Sequence, residues 1–224
     1  MARDLSDQLH FFNPNQLGVA VHIIGAGGIG STVIQTLAKM GFPKIIIWDN
    51  DKLEKRNIAS EPPYSEKYVG LPKVEAATKM IEYLLDSEME STTVIPHFER
   101  ATEKTQLEGY VICGVDSMRS RKAIFDAVKA SSTKIPLFID ARSGGEMYQI
   151  FSFRPFDPRA ASNYESWLFD DEDSLKLECG GNVAYTSNGI ASLVTRNLAK
   201  SIKGEPVPFM ISENLTTLER VVVM

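Results

Sequence analysis

The residues with the clearest chemical capacity are the glycines of Gly25-Ala26-Gly27-Gly28-Ile29-Gly30. Gly25, Gly27 and Gly30 have the spacing of a nucleotide-binding turn. The first permits the tight turn, the second lets backbone N–H groups approach phosphate, and the third lets helix pack on strand. Gly28 trims bulk further at the helix start, where free N–H groups and the helix dipole favour an anion. Asp49 closes the next apolar run, about 20 residues on, where such units place the acid that hydrogen-bonds a ribose. The chemistry predicted from these residues is nucleotide binding.

The elements that must hold them can be read from periodicity. Val21 to Ile24 is a buried strand, and Val33, Ile34, Leu37 and Ala38 mark the helix after the turn. Lys44 to Trp48 is a second strand. Asp49 to Asn57 is a polar segment at its carboxyl end, the edge at which open parallel sheets take ligands. Pro72 suits the first turn of a helix whose Val74, Ala77, Ile81, Leu84 and Leu85 share one face. Thr92 to Phe98 and Tyr110 to Cys113 read as strands, and Ser117 as the N-cap of a helix carrying Ala123, Ile124, Ala127 and Val128.

Pro136 to Ile139 and Met147 to Phe153 are further strands about a Gly144-Gly145 turn, and residues 155–182 read as a long loop. A last helix is expected from Thr186 to Lys203, then strands from Val207 to Ile211 and Leu218 to Val223. The alternation implies crossover units: one α/β domain over 1–224, with a doubly wound, Rossmann-like, mainly parallel sheet and an antiparallel C-terminal extension. Residues 1–17, with Leu5, Leu9, Phe11 and Phe12, form a short apolar segment expected to dock on the body or on a partner.

Composition narrows the class. The 224 residues are 43% apolar and 24% charged, enough for one sizeable core. The net charge of −5 argues against a general nucleic-acid binder. No apolar run is long enough to span a membrane, and no signal-peptide pattern opens the chain, so a cytoplasmic protein is expected. With Cys113 and Cys179 as the two cysteines, neither a disulfide framework nor a Cys-X-X-Cys zinc site is expected.

Four segments in order give a resemblance. They are Gly25 to Gly30, Asp49 to Asn57 with Asp51 between, Gly70-Leu71-Pro72-Lys73, and Val115-Asp116-Ser117. In these the chain resembles the ThiF/MoeB/HesA superfamily of ubiquitin-activating-type adenylyltransferases, from about Val19 to Gly204. The resemblance implies ATP as substrate and Mg²⁺ as cofactor. It assigns Asp49 to the ribose, Asp51 to nucleotide binding, Asn57 and Lys73 to the triphosphate, and Asp116 to the metal beside the α-phosphate. It also implies a homodimer and a small carrier protein ending in Gly-Gly as partner. Read without the family, Lys73 is equally a solvated residue of a first helical turn, and Asp116 a turn former before a helix.

The chain departs from the family pattern in places. Ser60 stands where better-known members carry an arginine, with Arg56 or Lys55 as candidate replacements; neither the paired Cys-X-X-Cys zinc ligands nor the thiol-bearing second domain of some members is expected. Cys179 falls where some small members have a loop cysteine that bonds the activated partner, although its neighbour Glu178 raises rather than lowers a thiol pKa. Arg3 matches an N-terminal arginine lent to the neighbouring subunit, and Arg121 a recurring arginine; Arg119 and Arg121 otherwise read as surface or interface charges rather than catalytic ones. The function expected is ATP-dependent adenylation of a carrier's C-terminal carboxylate. A non-catalytic partner subunit of the same fold and an NAD(P)-dependent oxidoreductase are the alternatives.

Overall fold

A computed structural model describes residues 4–14, 17–85, 92–170 and 183–224. Eight strands form one sheet: β1 (Val21–Ile24), β2 (Lys44–Trp48), β3 (Thr93–His97), β4 (Tyr110–Cys113), β5 (Phe138–Gly144), β6 (Met147–Phe153), β7 (Met210–Asn214) and β8 (Glu219–Val223). Their order is β3-β2-β1-β4-β5-β6-β7-β8. The first five pair in parallel, and β6, β7 and β8 add antiparallel. The expected architecture is thus observed.

β1 and β4 are buried at every residue, because helices cover the sheet on both faces. One face carries α1 (Gly28–Lys39), α2 (Lys73–Leu85) and α5 (Ala184–Ile202). There Val33, Ile34, Ala77, Ile81, Val194 and Leu198 meet Ile23, Ile47 and Ile139. The other face carries α3 (Met118–Ala130) and α4 (Pro158–Glu165), where Ile124, Phe125 and Tyr164 pack with Phe138, Phe151 and Phe153. Tyr164 is fully buried and meets Phe125 edge-on with ring centres 4.8 Å apart.

Two expectations are corrected. The long loop over 155–182 contains α4, set by Asp157, whose carboxylate accepts the N–H of Arg159, and by Pro158 in the first turn. The penultimate strand begins at Met210, not Val207, since Pro208 has no N–H for the ladder. The N-terminal segment docks on the body: Phe12 stacks on Phe42 at 4.9 Å, and Gln8 Nε2 donates to the Met40 carbonyl at the end of α1. Leu9 and Phe11 stay exposed. No helix of the described residues is long and apolar enough to cross a membrane.

Candidate active site

The sheet order reverses between β1 and β4, and the chain leaves each strand through a glycine. Gly25 N–H donates to the Trp48 carbonyl and Gly114 N–H to the Ile24 carbonyl, both at 2.8 Å. Gly25 has φ +95°, and a Cβ on it would stand 2.9 Å from the Gly114 oxygen, so this position needs glycine. A Cβ on Gly30 would lie 1.7 Å from the Gly25 oxygen, which places the start of α1 hard against the turn. At Gly27 the situation is opposite. Its nearest neighbours would be Glu61 and Lys73 side-chain atoms at 3.7 and 3.9 Å, ordinary contact distances, so a Cβ would fit in front of the helix start without a clash. That is the cradle an anion needs.

A cleft of about 1100 Å³ opens over this crevice at the carboxyl edge of the sheet, where doubly wound folds take their ligands. Gly25, Gly27, Gly28, Asp49, Asp51, Asn57, Lys73 and Asp116 all line it. Gly30 lies behind them, serving packing.

Asp49 shapes the turn as well as facing the cleft. Its two carboxylate oxygens accept the N–H groups of Ala26 and Asp51, each at 2.7 Å. Burial raises its pKa against these bonds. Asn57 Oδ1 accepts the Glu54 N–H at 2.8 Å, closing a short helical turn at the cleft wall. The segment after Asp49 is stapled to the start of α2: Leu53 N–H to Leu71, Gly70 N–H to Leu53, and Lys73 N–H to Asp51, at 2.8 to 2.9 Å. Gly70 turns at φ +94° to allow it. This clamp is what brings Lys73 beneath the glycine turn.

Lys73 is not a solvated lysine. It is 7% exposed and its ammonium lies 2.8 Å from Glu61 Oε1, itself 5% exposed. Burial works against the Lys73 charge, but the bond to Glu61 and the fields of Asp49 and Asp51 outweigh it and raise its pKa. Burial raises the Glu61 pKa too. Among the described residues Glu61 Oε2 has no hydrogen-bond partner. Tyr64 underlies the pair, its hydroxyl donating to the Ala26 carbonyl at 2.8 Å.

Asp116 stands exposed at the cleft mouth, and Ser117 caps α3 as expected by accepting the Ser120 N–H. Behind it the reading of Arg121 as a surface charge is overturned. Arg121 is 4% exposed and donates to the Val115 carbonyl, the Asp140 carboxylate and the Ala141 carbonyl. Asp140, fully buried, also accepts Arg142 Nε at 2.6 Å and the Tyr164 hydroxyl at 2.9 Å. Two guanidinium groups thus share one carboxylate between β4, β5 and α4.

Glu61, Tyr64, Asp140 and Arg142 were not among the expected residues. Glu61 and Arg142 look like ordinary charged residues in sequence; Glu61 meets its partner only 12 residues on, and Arg142 is buried with Asp140 on one face of β5. At Ser60 the hydroxyl is turned to the Asn57 carbonyl at 3.3 Å. Arg56 lines the cleft but is exposed and paired with Glu54 at 2.8 Å. Cys179 and Arg3 lie outside the described residues. Cys113 is buried in β4 with its thiol pKa pushed up to about 12 by burial, as a core residue.

A parallel sheet with a glycine turn, an acid after the second strand and a buried lysine at its crevice defines a nucleotide-site architecture. The chain matches the ThiF family over residues 16–221 and belongs to it. It is 32% identical over 154 residues to the NEDD8-activating enzyme E1 catalytic subunit of Schizosaccharomyces pombe, covering 65% of this chain and 33% of that protein. It is 27% identical over 225 residues to ubiquitin-like modifier-activating enzyme 5 of Mus musculus, covering 87% of this chain and 53% of that one. The chain spans between a third and about half of the length of these relatives. In fold it is similar to E. coli MccB solved with ATP, at TM-score 0.70 and 18% identity over 93% of this chain and 64% of that one.

Proposed function

We propose that this chain is an ATP-dependent adenylyltransferase that activates the C-terminal carboxylate of a small ubiquitin-like or sulfur-carrier protein ending in Gly-Gly. The observation that carries this reading is the convergence of Gly27, Asp49, Asn57, Lys73 and Asp116 on one cleft at the switch point of the sheet. Family membership supports it, and the oxidoreductase alternative finds no support in the relatives above. The solved MccB complex with ATP supports the choice of nucleotide.

In this reading the N–H groups at the start of α1 receive the phosphates, Asp49 and Asp51 face the ribose, and Asn57 and Lys73 hold the triphosphate. Asp116 holds Mg²⁺, which neutralises phosphate charge when bound. Among the described residues no group of three acids, histidines or cysteines is arranged to hold a metal by itself. A lone carboxylate fits Mg²⁺ shared with a nucleotide, since that ion takes one or two carboxylates and completes its shell with phosphate oxygens and water. One oxygen of the carrier's carboxylate bonds to the α-phosphorus, the bond to the bridging oxygen breaks, and pyrophosphate departs. Such an in-line displacement needs positioning and charge neutralisation rather than covalent help. Cys179 acts after adenylation, accepting the acyl group as AMP leaves. Two copies pair as a homodimer, with Leu9 and Phe11 toward the neighbour.

A second reading is a partner subunit that keeps the fold without the chemistry. It is favoured by Ser60, at the position where the family carries an arginine, and by the pairing of Lys73 with Glu61, which engages the ammonium that borders the phosphate cradle. ATP–pyrophosphate exchange with a candidate carrier separates the two: turnover supports the enzyme, and binding of ATP without exchange supports the partner subunit.

A further inference from the structure

The Lys73–Glu61 pair borders the phosphate cradle itself, since a Cβ on Gly27 would lie within 4 Å of Glu61 Oε1 and of Lys73 Nζ alike. An anion placed there meets one attracting and one repelling charge at nearly the same distance. Lys73 keeps its proton and has three donors to share. Glu61 lines the cleft but is 5% exposed, so little water can replace a lost partner, and Oε2 is already without one among the described residues. If the ammonium moves to a phosphate, Glu61 is left as a buried carboxylate facing a polyanion, with Asp49 and Asp51 adding to the repulsion. A buried charge stripped of its partner neutralises instead, given a proton.

We propose that Glu61 is the proton-holding residue of this site, an inference that rests on the nucleotide reading above. When a polyphosphate settles on the glycine turn, Glu61 takes one proton from solvent onto Oε2 and turns from a repelling carboxylate into an O–H donor. Lys73 shifts its ammonium from Glu61 to the phosphate, and no other bond is made or broken.

The neighbouring groups are poorer holders of that proton. Asp49 spends both oxygens on the N–H groups of Ala26 and Asp51 and would lose one of those bonds on protonation. Asp51 is exposed at the rim, where water screens it. Tyr64 is already protonated, burial holding its phenol well above the usual range. Lys73, on α2, is the cation bonded to Glu61 among the described residues. Burial has already moved Glu61 toward the neutral form.

Calorimetric titration of ATP with Mg²⁺ into the full chain, near neutral pH in two buffers of different ionisation enthalpy, counts the protons exchanged. The parent is expected to take up roughly one proton more than Glu61→Gln, the nucleotide's own titration cancelling in the difference. Equal counts overturn the inference, and so does a divalent cation bridging Glu61 and phosphate, which gives that same equality. If Glu61→Gln fails to fold or bind, infrared difference spectra of the parent decide: a protonated-carboxyl C=O band is expected to appear with nucleotide, and its absence overturns the inference. Binding heat without a Glu61-dependent proton defeats this inference alone. No binding heat in the parent defeats the nucleotide reading and this inference with it.

Discussion

Arg121 closes onto the Asp140 carboxylate directly behind the turn that carries Asp116. Its other nitrogen bonds the Val115 carbonyl, so one side chain ties the end of β4 to β5. The position of Asp116 therefore depends on a buried pair whose arginine also lines the cleft.

Removing one partner of such a pair leaves an uncompensated charge. Arg121→Ala is expected to lower unfolding stability by about 3 kcal/mol or more, read from the denaturant midpoint. A shift under about 1 kcal/mol, the range of an exposed ion pair, would return Arg121 to the surface role read from sequence.

The two inner glycines are expected to fail differently. Gly30→Ala sets a methyl against the Gly25 carbonyl and is expected to cost about 3 kcal/mol of stability. The Cβ of Gly27→Val meets only Glu61 and Lys73 side-chain atoms at ordinary contact distance, at a helix N-cap with φ −77°, so its stability cost is at most about 1 kcal/mol. ATP binding, by calorimetry, is nevertheless expected to be lost in Gly27→Val. A folded Gly27→Val chain that binds ATP like the parent removes the cradle from the site.

Acid is expected to weaken the fold through His22. Burial lowers its pKa from 6.5 to about 4, and Trp48 Nε1 donates to its Nδ1 at 3.1 Å, a bond that the neutral ring accepts. Between those values the unfolded chain binds the extra proton, so stability rises with pH: the contribution is complete above 6.5 and is lost as pH falls toward 4. The loss is up to roughly 3 kcal/mol. Thermal midpoints at successive pH values are expected to fall less steeply on the acid side for His22→Gln than for the parent. Identical slopes would show that His22 is not the source.

Assembly is open to a direct check. Leu9 is 46% and Phe11 76% exposed on a segment otherwise fastened to the body. Sedimentation at micromolar concentration with ATP is expected to give twice the chain mass. A mass of one chain would leave the two residues without the proposed neighbour.

How far the sequence reached follows from range. The glycine turn, the parallel strands and α1 to α3 were legible because each signal lies within one turn or one period of the chain. Lys73 came with its context of Gly70 and Pro72. Glu61 did not, because a buried acid has the same letter as a surface one, and only the clamp between Leu53 and Leu71 brings Lys73 beside it. Arg121 escaped for the same reason, since only the packing of α3 on the sheet brings it to Asp140, while Asp140 and Arg142 share one face of β5 and read in sequence as ordinary charges. For α4 the signal was present, Asp157 before Pro158, but the surrounding polar and proline-rich stretch outweighed an eight-residue helix.

The most direct measurement is ATP–pyrophosphate exchange with the cognate carrier supplied, on the parent, Asp116→Ala and Cys179→Ala. Asp116 lies at the cleft mouth without a part in the core, so its loss bears on chemistry rather than on folding. The parent is expected to exchange, and Asp116→Ala to lose about 100-fold or more of that rate while ATP binding weakens less. Cys179→Ala is expected to exchange like the parent, since a thiol is not needed to form an acyl-adenylate. An Asp116→Ala chain exchanging at the parent rate, or a parent that binds ATP and carrier without exchanging, would contradict adenylyl transfer at this cleft.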